Sequence, residues 1–394
     1  MAHPLDTVPL SGIFRIRDMM AAVDGGFRLD HGDISFDTPP PIREAMKRAL
    51  DAGETHYVQT GGLPRLRERL AEKLRDRNAI PIGDPDEVLV TAGGMHGLYL
   101  ICRAVLDPGD EVVVPDPVWG PTLGHMLAVG ATPIPCPLRP ELDWRYDPEE
   151  LRASVTSRTR AIFVNTPHNP TGGVLARADL DAIAALARER DLLVISDEPY
   201  EDIVYDGARH VSLAALPEMS ERTVSAFTFS KSHVMTGLRL GYVVVRNKAL
   251  RARVLKLLSL TASNVSSVIQ YGGLGALESD QDWIEVNRAE LQARRDRFYA
   301  GLAPLEPTLT GSPPAGSFFA FLRIDPAWEP PDGLATGRSQ SWAMAEHLIA
   351  QARVGTIPGV DFGGVGEGHI RCCFAREPAE LDGALAAMRE ALGR

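Results

Sequence analysis

"AIFVNTPHNPTGGVLARADLDAIAALARERDLLVISDEPY", residues 161–200, decides the fold class. Two short runs within it, "AIFVN" (161–165) and "LLVIS" (192–196), are almost wholly apolar and do not alternate. That pattern belongs to strands covered on both faces, as in a largely parallel sheet. Between them "RADLDAIAALARERD" (177–191) carries apolar residues at helical spacing. Strand, helix, strand is the grammar of an α/β domain, in which a crossover helix returns the chain to a parallel neighbour.

The alternation continues in both directions. "EVLVT" (87–91), "EVVVP" (111–115), "TVSAF" (223–227) and "GYVVV" (241–245) read as further buried strands, and "LPRLRERLAEKLRD" (63–76) as a helix. Near residue 285 the composition changes. "IEVNRAELQARRDRFYAGL" (284–302) reads as one long helix leading out of the large domain. After it come "GSFFAFLRI" (316–324), the Pro- and Gly-rich "PAWEPPDGLATG" (326–337), a helix near 341–352 and "HIRCCFA" (369–375), an α+β pattern. The first forty residues hold no βαβ unit. The expected division is a large domain over 43–285 and a smaller body of 1–42 with 286–394.

The 394 residues suit two such bodies, with 44% hydrophobic and 24% charged residues. A net charge of -11 argues against a nucleic-acid surface or an anionic membrane as partner. No apolar run approaches the roughly 18 residues that span a bilayer. The N-terminal "MAHPLDTVPLSGIF" lacks the basic and apolar regions of a secretory signal, so a cytoplasmic location is expected. Four cysteines, Cys102, Cys136, Cys372 and Cys373, lack both a disulfide framework and C-x-x-C metal spacing. They read as reduced, buried thiols, and no metal is expected.

Ligands of open α/β sheets sit beyond the carboxyl ends of the strands, so the residues following each strand carry the chemistry. After "EVLVT", the amides of Gly94 and Met95 at a helix start could hold a phosphate; the plainer reading is a glycine turn. After "EVVVP" comes Trp119, either a stacking platform for a flat ring or a core aromatic. After "AIFVN", Asn169 offers a fixed amide or a turn residue, and His168 in its Pro-rich loop reads as structural. After "LLVIS" stands Asp197, whose carboxylate is costly at the end of an apolar strand unless a cation pairs with it. Tyr200 adds a phenol three residues on. Either residue alone could cap a helix.

After "TVSAF" comes "TFSKSHVMTGLRLGY" (228–242), where Lys231 is set among Thr228, Ser230 and Ser232, with Arg239 eight positions later. A lysine screened from water has its pKa lowered and becomes a usable amine nucleophile. Arg239, Thr228 and the Gly94 amides could share a phosphate. Phosphate cradle, ring platform, buried acid, amide donor and isolated lysine together describe pyridoxal 5'-phosphate, with Lys231 as the Schiff-base residue.

In its ordered set of motifs the chain resembles the class I/II aminotransferases of the aspartate aminotransferase superfamily, the fold-type I enzymes. The resemblance runs from "LDHGDISFDTPPPIREAM" through "HYVQTGGLPRLRERLAEKL", "NTPHNPTG", "SDEPY" and "SKSHVMTGLRLGY" to "GEGHIRCCFA". It implies a mostly parallel seven-stranded sheet between helices, with a smaller α+β domain. It further implies that Lys231 bonds the cofactor and shuttles a proton, and that Asp197 pairs with the ring nitrogen. Asn169 and Tyr200 would bind the phenolic oxygen, and Trp119 would stack on the ring. Gly94, Met95, Thr228 and Arg239 would hold the phosphate. Tyr57 would reach the phosphate of a neighbouring subunit in a homodimer with shared sites. Arg371 would grip the substrate α-carboxylate, with Gly32 bordering the substrate.

Departures from the family pattern fall around the substrate. "GDISF" (32–36) stands where G-x-P-D-F is common, Thr122 stands where tyrosine is common, and His233 and Met95 occupy variable places within reach of substrate. Arg15 and Arg17 are the candidates for reading a side-chain carboxylate. The implied activity is ping-pong transfer from an L-amino acid, aspartate-like or broad in specificity, to a 2-oxo acid such as 2-oxoglutarate. The alternatives are a C–S β-lyase or cyclising enzyme using the same cofactor, and a regulator that binds the cofactor without turnover.

Overall fold

Strands that are apolar on both faces need cover on both faces, and the chain supplies it. The computed structural model describes residues 6, 8, 12–330 and 339–393. Its main sheet comprises β1 (Val88–Thr91), β2 (Glu111–Asp116), β3 (Thr132–Arg139), β4 (Arg145–Tyr146), β5 (Thr159–Asn165), β6 (Leu193–Asp197), β7 (Thr223–Thr228) and β8 (Gly241–Val245). Their order across the sheet is β1-β8-β7-β6-β5-β2-β3-β4. β3, β2, β5, β6 and β7 pair in parallel, whereas β8 runs antiparallel to both β7 and β1.

Eight strands replace the expected seven. The addition is β4, a two-residue ribbon antiparallel to the end of β3, too short to leave a periodic signal. β3 itself carries no continuous apolar run, since it reads "TPIPCPLR". Its prolines fall at every second residue, so the missing N–H groups all lie on one side of the strand. The other side keeps its donors for β2, as an outlying strand requires.

Helices cover the sheet and lead away from it. They are α1 (Gly12–Ala21), α2 (Pro40–Asp51), α3 (Pro64–Asp76), α4 (Gly94–Val105), α5 (Gly120–Ala128), α6 (Pro148–Ala153) and α7 (Arg177–Glu189). After the sheet come α8 (Lys248–Thr261), α9 (Ser267–Leu277), α10 (Asp282–Leu302), α11 (Gln340–His347) and α12 (Pro378–Ala391). The helical spacing read in α3 and α7 is used as anticipated: Leu66, Leu70 and Leu74 of one, and Leu180, Ile183 and Leu186 of the other, are buried. Beyond α10 lies a second, four-stranded antiparallel sheet. It orders β11 (Ile357–Pro358), β12 (His369–Cys373), β10 (Phe319–Ile324) and β9 (Leu309–Thr310). The N-terminal segment joins it. Ile16 and Met20 of α1 pack with Phe321 and Ile357, and the Cys373 amide donates to the Leu29 carbonyl at 2.7 Å.

The topology itself places a crevice. From β2 the chain moves outward to β3, then returns to β5 and proceeds the other way through β6 and β7. The strand order therefore reverses between β2 and β5, and the carboxyl ends there open a gap.

Phe163 of β5, 1% exposed, lies in the apolar layer beneath that gap. Phe163→Ala is expected to lower the unfolding free energy by about 3–5 kcal/mol, read from denaturant midpoints.

Candidate active site

The last residues of β5 and β6 lie directly opposite each other, Asn165 beside Asp197. Asn165 Nδ2 donates to the Asp197 carbonyl at 3.0 Å and to its Oδ2 at 3.3 Å. Its Oδ1 accepts the backbone amide of Asn169 at 2.9 Å. One buried amide thus ties two strand ends and the loop between them. Burial, together with the neighbouring Glu198 charge, pushes the Asp197 carboxyl up to about 8, against a smaller opposing pull from Lys231. Among the described residues no ion pair reaches Asp197. A buried acid left so short of partners is prepared for a cation.

Lys231 follows β7 and reaches back across the site. Its Nζ donates to the Gly32 carbonyl at 2.9 Å and lies 5.3 Å from the centre of the Phe318 ring. Desolvation lowers its pKa to about 8, with Asp33 pulling the other way. Far more of the amine is then unprotonated near neutrality than in an ordinary lysine, which favours a nucleophile.

Arg371 lies on β12, in the second sheet, yet arrives at the same place. Nη2 donates to the Asp30 carbonyl at 3.0 Å and Nη1 to Asn169 Oδ1 at 3.1 Å. Phe319 at 4.3 Å and Phe362 at 5.0 Å flank the guanidinium. Its Nε is buried with no hydrogen-bond partner. Asn169 in turn donates from Nδ2 to the Tyr200 hydroxyl at 3.4 Å. Burial raises the Tyr200 pKa, so the phenol keeps its proton.

A second group gathers at the start of α4. Gly93, the residue before the helix, has φ of +83°, which a side chain rarely adopts. A Cβ there would also stand 2.7 Å from Arg239 Nη2. The following amides, of Gly94 and Met95, begin the helix and have no intrahelical acceptor. Gly94 sits against Thr228, and a Cβ on Gly241 would come within 2.8 Å of the Gly94 nitrogen. Arg239 is exposed, and its Nη1 donates to the Thr236 carbonyl at 2.7 Å. The arrangement sets helix amides, a hydroxyl and a guanidinium around glycine backbone, the donor types that bind anions.

Trp119 stands immediately before α5 and is partly buried. Beside it the Val118 amide donates to the Phe362 carbonyl at 2.7 Å, joining the loop after β2 to the cover of Arg371.

Hydrogen bonds thus join Asn165, Asn169, Asp197, Tyr200 and Arg371, with Lys231 on the Gly32 carbonyl beside them, while Gly93, Gly94, Thr228 and Arg239 meet at the start of α4. Other residues go elsewhere. Tyr57 is 90% exposed and lies with Asn264 and Ser266 on an open groove of about 430 Å³. His233 is turned inward between Phe229 and Trp283, and burial lowers its pKa to about 4. His168 is buried on Thr171 at 2.8 Å, in keeping with its structural reading. Thr122 is buried as well. Arg15 is held by Glu346 at 2.8 Å above the Trp342 ring, and Arg17 by Asp18 at 3.0 Å. Asn165 was missed by sequence reasoning, although its place at the end of an all-apolar strand, like that of Asp197, could have marked it.

These features define a chain whose family can be stated. Residues 25–388 match the family model described as aminotransferase class I and II, and the chain belongs to that family. It is an aminotransferase. It is 36% identical to an aspartate aminotransferase of Pyrococcus abyssi, covering 100% of this chain and 98% of the relative. It is 39% identical to an arginine–pyruvate transaminase of Pseudomonas aeruginosa, over 87% of this chain and 84% of that one. The crystal structure of a Pyrococcus protein termed protein-A1 superposes with a TM-score of 0.92 at 36% identity, covering 99% of this chain and 98% of that one.

The raised Asp197 pKa has a consequence for stability. Below about pH 4 this carboxyl is neutral in folded and unfolded chains alike. Between there and about 8 the unfolded chain ionises first, so this group's contribution to stability is lost as pH rises. In ligand-free protein, Asp197→Asn is expected to remove that slope, measured as denaturant unfolding at pH 5 and pH 8.

Proposed function

We propose that the pocket holds pyridoxal 5'-phosphate and moves the amino group of an L-amino acid to a 2-oxo acid by a ping-pong route. One observation carries this reading. Lys231 Nζ and Arg371 Nη2 both rest on one short segment, at the carbonyls of Gly32 and Asp30. An amine nucleophile and a carboxylate fork so close together match the two ends of an α-amino acid.

The residues present fit the cofactor. The cradle of Gly94, Met95, Thr228 and Arg239 suits its phosphate. Asp197 suits a protonated ring nitrogen, which would supply the missing cation. Asn169 and Tyr200 suit the phenolic oxygen, and Trp119 the ring face. When bound, the cofactor supplies the aldehyde carbon for a Schiff base and an electron sink for the substrate α-carbon. The protein's own part is positional and protic. Arg371 takes the α-carboxylate, its unpartnered Nε and one Nη forming a fork. Lys231 Nζ, poised near neutrality, accepts and returns the proton at the α-carbon. Phe319, Phe362 and Trp119 keep water from that exchange.

The amino donor is proposed to be aspartate-like or broad. Relatives named for aspartate and for arginine carry side chains of opposite charge, so the family alone does not choose. The enzyme is proposed to work as a cytoplasmic homodimer, the partner subunit's Tyr57 completing the phosphate site. Supporting this, Tyr57 lies fully open in its own chain and all four cysteines are buried and free. No helix among the described residues is long and apolar enough to cross a membrane.

The test is the absorption of the cofactor-loaded protein mixed with single amino acids and no acceptor. Loss of the visible band, restored by 2-oxo acids, is expected; 2-oxo acid and ammonia released without acceptor would instead mean elimination. Lys231→Ala should abolish the change. Arg371→Ala should raise KM for every donor by roughly one to two orders of magnitude. Sedimentation should give a dimer, and Tyr57→Phe should speed loss of cofactor while leaving the dimer intact.

A further inference from the structure

Behind Asp197, on the reverse face of β6, lies a second buried carboxylate that the proposed reaction does not use. Successive strand residues point to opposite faces. Asp197 faces the pocket, while Ser196 and Glu198 face the helices behind. Glu198 is 1% exposed. Its Oε1 accepts from Ser196 Oγ at 2.8 Å, and its Oε2 accepts from Ser212 Oγ at 2.5 Å and from His210 Nε2 at 2.8 Å. The carboxylate only accepts, so the imidazole carries its proton on Nε2; Nδ1 is buried without a partner.

The donors continue outward. Asn78 Nδ2 bridges Ser212 Oγ at 3.2 Å and Glu201 Oε2 at 2.6 Å. Glu201 meets the buried Lys73 at 2.6 Å, and Lys73 also donates to the Tyr242 hydroxyl at 3.2 Å. On the pocket face the charge that acts on Asp197 is that of Lys231, which opposes the effect of Glu198.

Burying an ionised carboxylate costs several kcal/mol unless donors hold it, and here three do. The donors keep Glu198 ionised, with its pKa below the usual carboxylate range. Adjacent Cα atoms are about 3.8 Å apart, so this charge acts on Asp197 across one peptide unit of dry sheet.

We propose that Glu198 is a positioning residue for Asp197: a fixed negative charge behind β6 that makes the Asp197 socket demand a cation, and so holds the cofactor with its ring nitrogen protonated. Two carboxylates at one strand end repel: in ligand-free protein a proton on Asp197 relieves this, and a cation on the pocket side relieves it with both groups ionised. The donor set of Glu198 exists to keep that demand from being met by a proton on Glu198 itself. This rests on the reading of Asp197 as the partner of the cofactor ring.

The experiment follows the visible absorption of the cofactor-loaded protein against pH, in the wild type and in Glu198→Gln, with far-UV circular dichroism as the check on folding. Removing the negative charge is expected to lower the pH midpoint of the spectral change by roughly one unit and to speed cofactor loss on dilution. Glu198→Asp, which keeps the charge, should return the midpoint towards wild type. In an Asp197→Asn background the Gln substitution should have no further effect, a result that a merely structural tie would not produce. Superimposable titrations of wild type and Glu198→Gln, or an undiminished shift without Asp197, overturn the inference. If the Gln variant does not fold, His210→Lys, which sets a fixed cation against the same carboxylate, must move the midpoint the same way; no movement overturns it. If the wild type forms no lysine-linked absorption with pyridoxal phosphate, the reading of the pocket fails first and carries this inference with it.

Discussion

A carboxylate cannot sit at the dry end of a central strand without imposing terms on everything around it. Asp197 sits there, held through its carbonyl and Oδ2 by Asn165. Because desolvation opposes its charge, the neighbouring strand must end on an amide, and a cation must be brought to the same edge. β5 and β6 end in register, so Asn165 and Asp197 meet without any loop having to search for them. The same amide then fixes Asn169, which reaches both Tyr200 and Arg371. One short polar chain therefore runs from the end of the main sheet to β12 of the second sheet.

Arg371 satisfies a different constraint. Buried guanidinium groups need acceptors and flat cover. Separate segments provide them: Phe319 comes from the neighbouring strand β10, Phe362 from the turn after β11, and the Asp30 carbonyl from the N-terminal segment. That segment serves two cations at once, since Gly32 accepts from Lys231. A residue from near the start of the chain, one from the middle and one from near the end thus share a single small volume. The pocket is as much a product of the N-terminal segment as of either sheet.

Much of this is legible in the sequence. Strands covered on both faces leave long apolar runs, and helices over them leave a 3.6-residue period; both signals are local. Polar residues that interrupt apolar runs at their carboxyl ends are equally local, so Asp197 and Lys231 stood out. β3 was illegible because its prolines mimic a loop, and β4 because two residues carry no period. Asn165 was hidden by its ordinariness, since an asparagine after a strand usually makes a turn. His233 was misplaced for a related reason: a residue two positions from Lys231 turned its ring into the apolar layer beside Phe229. Spacing along the chain does not report that rotation.

By itself the sequence determined six strands of the main sheet, their helical cover and the residue types at the strand ends, because these follow from short-range pattern and residue type. Only the tertiary structure decided which ends meet. It set Arg371 on the Asp30 carbonyl, gave Arg15 to Glu346, left Tyr57 facing outward and put Glu198 behind Asp197. The physical reason is range. Periodicity and burial are properties of a few neighbouring residues, whereas the pairing of charges depends on which distant segments exclude water together.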